Sequence, residues 1–275
     1  NIKNLNNIEN YSRDELINFI ENLINNTHVI VDIDKFSQLQ KFSELIRNLI
    51  KNKKFLFRTA ASFLKAISNT KNSQKNNFYY SQLRRRNKLN QFLPGLIIIG
   101  SHIEISTKQL KKLLEVNSCV AIELDVEEFY MVHNLKDDKT QIFKFKKVIL
   151  DFMREIINDS LVPVLFTSRK VKKFKNNLDQ MHFYNSLSSF IAEIVADIKD
   201  EIGYLIAKGG ITSNIILNSS FNVDYVYLEG QISSGISLVK VKLFSSNDDL
   251  PVITFPGNLG NDNSLVEVWK AIENI

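Results

Sequence analysis

The chain has 275 residues, 44% of them hydrophobic, which is enough for a sizeable core and for two lobes at the usual domain size of roughly 100 to 200 residues. No apolar run approaches the ~20 residues of a membrane-spanning helix, residues 1–10 lack the order of a signal peptide, and the one cysteine, Cys119, can form no internal disulfide. A cytoplasmic protein without a membrane partner is expected; the formal charge of +5 suits an anionic ligand, but the cations are scattered, so nucleic acid is not an expected partner.

Ser12-Arg13-Asp14-Glu15 has the form of a capping box, and Leu16, Ile20, Leu23 and Ile24 follow at helical spacing. His28 to Val31 reads as a buried strand ending at Asp32 and Asp34. A second amphipathic helix carries Phe36, Leu39, Phe42, Leu45, Ile46 and Leu49, and Phe55-Leu56-Phe57 reads as another strand. Ser68 to Asn90 is polar and aperiodic, as a solvated interlobe linker would be, and holds the one dense basic cluster, Arg84-Arg85-Arg86 with Lys88. Strands are predicted at Leu96–Ile99, Val120–Leu124, Val162–Phe166, Tyr204–Ala207 and Val223–Leu228. Helices are predicted at Ser106–Val116, Phe143–Ile157, Leu187–Ile198 and Leu265–Ile272. Cys119 falls in an apolar run and should pack as a small hydrophobe. Alternation of this kind gives an α/β fold, a mostly parallel sheet flanked by helices. Ile236–Leu243 and Val252–Phe255 are joined by too few residues for a helix, so antiparallel pairing is expected there.

In open α/β sheets ligands bind beyond the carboxyl ends of the strands. Those places read Gly100-Ser101-His102, Thr167-Ser168-Arg169, Lys208-Gly209-Gly210-Ile211-Thr212-Ser213 and Pro256-Gly257-Asn258-Leu259-Gly260. Two glycines between a strand and a helix permit positive φ and free backbone N–H groups, a turn that can cradle phosphate, and Thr212 or Ser213 could cap the helix and donate to the ligand. A Gly-Gly pair between strand and helix is more often plain turn chemistry, and Pro256 as strand end with Gly260 as helix entry accounts for the last turn as readily as phosphate binding does. His102 could touch a ligand. Asp32 and Asp34 could hold a sugar hydroxyl or a metal, although a helix cap explains Asp34 as well, and Arg58 with Thr59 would suit a carboxylate or phosphate. There is no Walker A loop, no Gly-x-Ser-x-Gly turn and no Cys or His spacing of a metal site.

Phe57-Arg58-Thr59-Ala60-Ala61-Ser62-Phe63, Ile99-Gly100-Ser101-His102, Thr167-Ser168-Arg169, Lys208 to Ser213, Gly230-Gln231-Ile232 and Phe255-Pro256-Gly257-Asn258 together resemble the four-carbon acid sugar kinases, in order and spacing, from about Val29 to the end. The resemblance implies ATP-dependent phosphorylation of a threonate, erythronate or oxo-tetronate, with Mg²⁺. It implies a nucleotide-binding domain at 93–275, preceded at 1–92 by a partial α/β sugar-binding domain and linker. Carried over by position, Ser101, Gly209, Gly210, Ile211, Thr212, Ser213 and Gly257 would contact ATP, and Arg58 and Ser62 would belong to the sugar-binding lobe. No catalytic base or metal ligand can be assigned.

Three departures accompany the match. The family's opening Asp-Asp-x-Thr-Gly strand end is missing, and Asp137-Asp138-Lys139-Thr140-Gln141, which echoes it, follows no strand and reads as a surface loop. Together with the lack of an initiator Met, this gives the expectation of a C-terminal piece of a longer protein, a split-gene product with a companion sugar-binding half, a homodimer, or a non-catalytic remnant that keeps nucleotide binding. Ile215 stands where the family has an acid. Gly230 to Ser237 lacks the family's prolines, which should loosen that loop.

Overall fold

In the computed structural model the described residues are 2–68, 75–134, 139–169, 172–174, 176–244 and 248–275, and they divide into a first unit ending at Asn72 and a second beginning at Ser73. In the first unit β1 (Ile2–Leu5) runs parallel to β2 (His28–Val31), with α1 (Arg13–Glu21) between them and α2 (Phe36–Leu49) and α3 (Ala61–Ser68) following. The capping box forms as expected, with Ser12 Oγ accepting from the Glu15 amide at 3.2 Å and Glu15 Oε2 accepting from the Ser12 amide at 2.7 Å. Leu5, Leu16, Ile20, Phe42, Leu45, Ile46 and Phe63 form its core.

Two expectations change in this unit. The strand at 28–31 is not buried, because it has a single partner and Ile30 stays exposed. Residues 55–57 form no strand at all. Extended alternation sends Phe55 and Phe57 one way, where their rings stack at 5.7 Å and Phe57 meets Phe63 at 5.1 Å, and leaves Leu56 fully exposed.

The second unit begins with α4 (Asn77–Gln82), followed by β3 (Leu96–Ile99), α5 (Glu104–Leu113), β4 (Cys119–Leu124) and α6 (Val126–His133). Then come α7 (Lys139–Asn158), β5 (Val162–Thr167), α8 (Asn177–Ile198), β6 (Leu205–Lys208) and α9 (Gly210–Ile215), which continues as a π-helix over Ile216–Ser220. The chain closes with β7 (Tyr227–Ser233), β8 (Ile236–Lys242), β9 (Asp249–Phe255) and α10 (Ser264–Glu273). The strands make one sheet in the order β4-β5-β3-β6-β9-β8-β7, parallel from β4 through β9 and antiparallel where β8 and β7 join. Strands β3, β5 and β6 are buried on both faces, as their near-continuous apolar sequences require. Helices α7 and α8 cover one face and α5 and α10 the other. The α/β fold read from the sequence is therefore the observed one.

Over its described residues, 75–90, the solvated linker is not observed. Tyr80 in α4 is fully buried, and its hydroxyl donates to the Gln231 carbonyl at 2.7 Å. The basic cluster is structural. Arg84 pairs with Glu273 and lies over the rings of Phe92 and Tyr204, Arg85 donates to the carbonyls of Lys199, Asp200 and Ile202, and Arg86 lies over Phe92 at 3.6 Å. Intervening side chains are polar because they satisfy carbonyls and a carboxylate, so their lack of period was misleading. The strand placed at 223–228 lies at Tyr227–Ser233, and the 233–236 connection, expected to be loose, is a tight turn in which Gly235 has φ +75° and packs against Leu259. Cys119 is buried as expected, and desolvation pushes its thiol up to about 12.

Candidate functional site

Because β3, β6 and β9 are adjacent and parallel, the turns that follow them meet at one edge of the sheet. Gly209 has φ +123°, a conformation that favours glycine, and a Cβ on it would lie 3.5 Å from Ser101 Cβ. A Cβ on Gly257 would lie 2.8 Å from Ser101 Oγ and 3.9 Å from Gly209 Cα. Ser106 on α5 ties two turns together, its hydroxyl lying 3.0 Å from Ser101 Oγ and donating to the Gly257 carbonyl at 2.9 Å. The structure thus brings Ser101, Gly209, Gly210, Thr212 and Gly257 to one place.

Around Gly210 the surroundings are open, for a Cβ there would meet no atom within 4 Å beyond its chain neighbours and the backbone of its own helix, and Ile211 beside it is exposed. Backbone donors are abundant at this edge. Among the described residues, the amides of Gly210, Ile211, Gly257 and Asn258 have no hydrogen-bond acceptor. Neither hydroxyl of Thr212-Ser213 caps α9, whose N-cap is Gly209. Ser213 Oγ is committed to the carbonyls of Ala207 and Gly209, both at 2.9 Å, so it braces the turn from inside. Thr212 Oγ1 stands where a Cβ on Gly100 would be, 2.1 Å away, which explains a glycine at that strand end.

Two cations at this edge stand in the strand-end motifs quoted above, but the sequence alone gave neither a role of its own. Arg169 donates to the carbonyls of Thr167, Ser101 (2.8 Å) and Ile99 (3.4 Å), stapling the ends of β5 and β3, and burial lowers its pKa. Lys208 has no exposed surface, and its Nζ lies 3.2 Å from the carbonyl oxygens of both Pro256 and Gly257. Among the described residues neither forms a close ion pair with a carboxylate, although Glu123 acts on Arg169 from a distance. The available signal was a lysine as the last residue of an otherwise apolar strand, where an inward side chain has no water to reach.

His102 stacks on Tyr184 at 6.1 Å beside a cavity of about 40 Å³ that Gly100, Thr167, Ser168 and Thr212 also line, room for a water molecule and not for a ligand. In the first unit Arg58 and Ser62 are exposed, Arg58 in the irregular stretch before α3 and Ser62 in its first turn. Asp32 and Asp34 follow β2 and are exposed. Among the described residues no three His, Cys, Asp or Glu side chains gather where a metal could be held. Asp137 and Asp138 lie outside the described residues, while Lys139 to Gln141 belong to α7. Ile215 packs on the core beside α8.

Residues 96–265 match the family model of the nucleotide-binding C-terminal domain, from β3 into the start of α10. The chain belongs to this family, that of the four-carbon acid sugar kinases. A solved domain of unknown function from Bordetella bronchiseptica, with bound citrate and forming a domain-swapped dimer, has 12% identity and a TM-score of 0.53 over 98% of this chain and 59% of its own. A Salmonella typhimurium LT2 protein described as a candidate tRNA synthase has 12% identity and a TM-score of 0.60 over 93% of this chain and 55% of its own. At that identity these likenesses show the fold, and this chain spans less than two thirds of either protein. Comparison with curated sequences gave no match. No described helix is long and apolar enough to cross a membrane.

Proposed function

We propose that the second unit binds ATP with its phosphates on the turns at Ser101, Gly209–Ser213 and Gly257, and that the chain is the nucleotide-binding part of a kinase for a four-carbon sugar acid. The observation that carries this reading is the convergence of three glycine-bearing turns with unpartnered amides at the carboxyl ends of three adjacent parallel strands. Backbone N–H groups hold phosphate oxygens without a charged side chain in the way, and the open space at Gly210 leaves room for them. ATP supplies the phosphoryl group, and the protein's part is to position it and neutralise its charge. The described donor set at this edge is hydroxyls, carbonyls and amides, so Mg²⁺ in this reading is held by phosphate oxygens and water rather than by a carboxylate cage. Arg58 and Ser62 are proposed for the sugar acid, where a guanidinium matches a carboxylate. The citrate and the swapped dimer of the Bordetella protein support a small carboxylate ligand and assembly with a second polypeptide, either another copy or a companion sugar-binding half.

A second reading, nucleotide binding without phosphoryl transfer, is favoured by Ile215, a half-buried apolar residue packed against the core at the position where an acid was expected. Calorimetry with ADP and Mg²⁺ tests the common element. Gly210→Val places its side chain in open space, so the fold should be undisturbed and ADP affinity should fall at least about 100-fold, as expected when side-chain atoms fill the room of a phosphate. Equal affinity in the folded variant overturns the site. Phosphorylation of D-threonate or D-erythronate by the wild type then separates the two readings.

A further inference from the structure

Lys208 stands out as a fully buried cation held only by carbonyls. Its Nζ lies 3.2 Å from the oxygens of Pro256 and Gly257 and 3.9 Å from the Phe255 ring centroid. The elements packed around it bring no acid to it. β3 is Leu-Ile-Ile-Ile, α5 presents Ser106 and Gln109 to the neighbouring carbonyls, α9 presents Thr212 and Ser213, and α10 presents Leu265 and Trp269. The other cation of the edge, Arg169, is engaged with the carbonyls of Thr167, Ser101 and Ile99.

A buried charge without a counterion is costly, and desolvation alone lowers Lys208 to about 8. The geometry gives that cost a use. In a trans peptide the C=O and the following N–H point in opposite directions, so drawing the oxygens of Pro256 and Gly257 toward Nζ turns the amides of Gly257 and Asn258 away from it. Those are two of the amides that lack an acceptor.

We propose that Lys208 is the positioning residue of the phosphate site, turning the Gly257 and Asn258 amides toward the ligand and supplying from behind the turn the positive charge that a bound phosphate completes. The proposal rests on the nucleotide reading above. An anion stabilises the charged lysine, so ADP binding should raise its pKa and be proton-linked. Affinity should then be greatest below about 8 and fall as pH rises through the free protein's value.

The experiment is ADP–Mg²⁺ calorimetry on wild type and Lys208→Met at pH 7.5 and 9.5, with NMR of ¹³Cε-labelled lysine in the wild type. ADP phosphates are fully ionised at both pH values, so their own titration does not intrude. Expected are a roughly tenfold or larger loss of wild-type affinity at pH 9.5, an upward move of the Lys208 midpoint on adding ADP, and weaker, pH-independent binding by Lys208→Met. Wild type and variant with the same affinities at both pH values would make Lys208 a purely structural prop and overturn the proposal. A variant that fails to fold leaves the wild-type midpoint to decide, and an unmoved midpoint in the ADP complex overturns it too. A wild type that binds no ADP brings down the nucleotide reading itself, an outcome distinct from binding that ignores Lys208.

Discussion

Phe55-Leu56-Phe57 and Leu205-Ile206-Ala207 are equally apolar runs, and each precedes residues suited to an anion, yet only the second is a strand. β6 lies between β3 and β9 and all its side chains are buried, whereas residues 55–57 have no ladder partner among the described residues and Leu56 is bare. An apolar run becomes a central strand only when a neighbour on each edge takes up its N–H and C=O groups. The consequence for function is direct. The turn after β6 is fixed by both neighbours, so Gly209 lies beside Ser101 and Gly257, while Arg58 stands on irregular chain in a unit with a two-stranded sheet.

The contrast is sharpened most by removing what covers the sheet at β6. Trp269 on α10 is almost fully buried in the cluster that includes Ile206, Ile253 and Phe255, and Trp269→Ala should cost about 3–5 kcal/mol. A urea denaturation curve checks this, and a loss below about 1 kcal/mol would mean that the core closes over the gap. Next comes the former linker. Glu273 accepts from Tyr204 at 2.7 Å and pairs with Arg84, so Glu273→Ala leaves a nearly buried guanidinium without its carboxylate and should cost about 3 kcal/mol in the same assay. An unchanged midpoint would return residues 75–90 to the solvated linker that their composition suggests.

The parallel sheet was legible because β3, β5 and β6 are buried on both faces and therefore apolar throughout. The glycine turns were legible too, since Gly209 needs positive φ and Gly100 leaves room for Thr212. Other features depend on contacts that no local pattern encodes. Arg85 looks like surface charge until the carbonyls of Lys199, Asp200 and Ile202, more than a hundred residues away, are brought to it. Lys208 looks like a strand end until β9 places two carbonyls at its tip. β1 was missed because Leu5 is its single buried residue.

The smallest expected effect lies at the other pole of the comparison. Leu56→Ser replaces a side chain that is fully exposed and contributes no packing within its unit, so stability should change by no more than about 0.5 kcal/mol and the helical signal should stay as it is. Urea curves at two protein concentrations check this. A loss above about 1 kcal/mol that shrinks on dilution would show Leu56 covered in solution by a second polypeptide. The run at 55–57 would then be a strand that finds its neighbour in another molecule, and the difference from β6 would lie in where the partner comes from rather than in whether one exists.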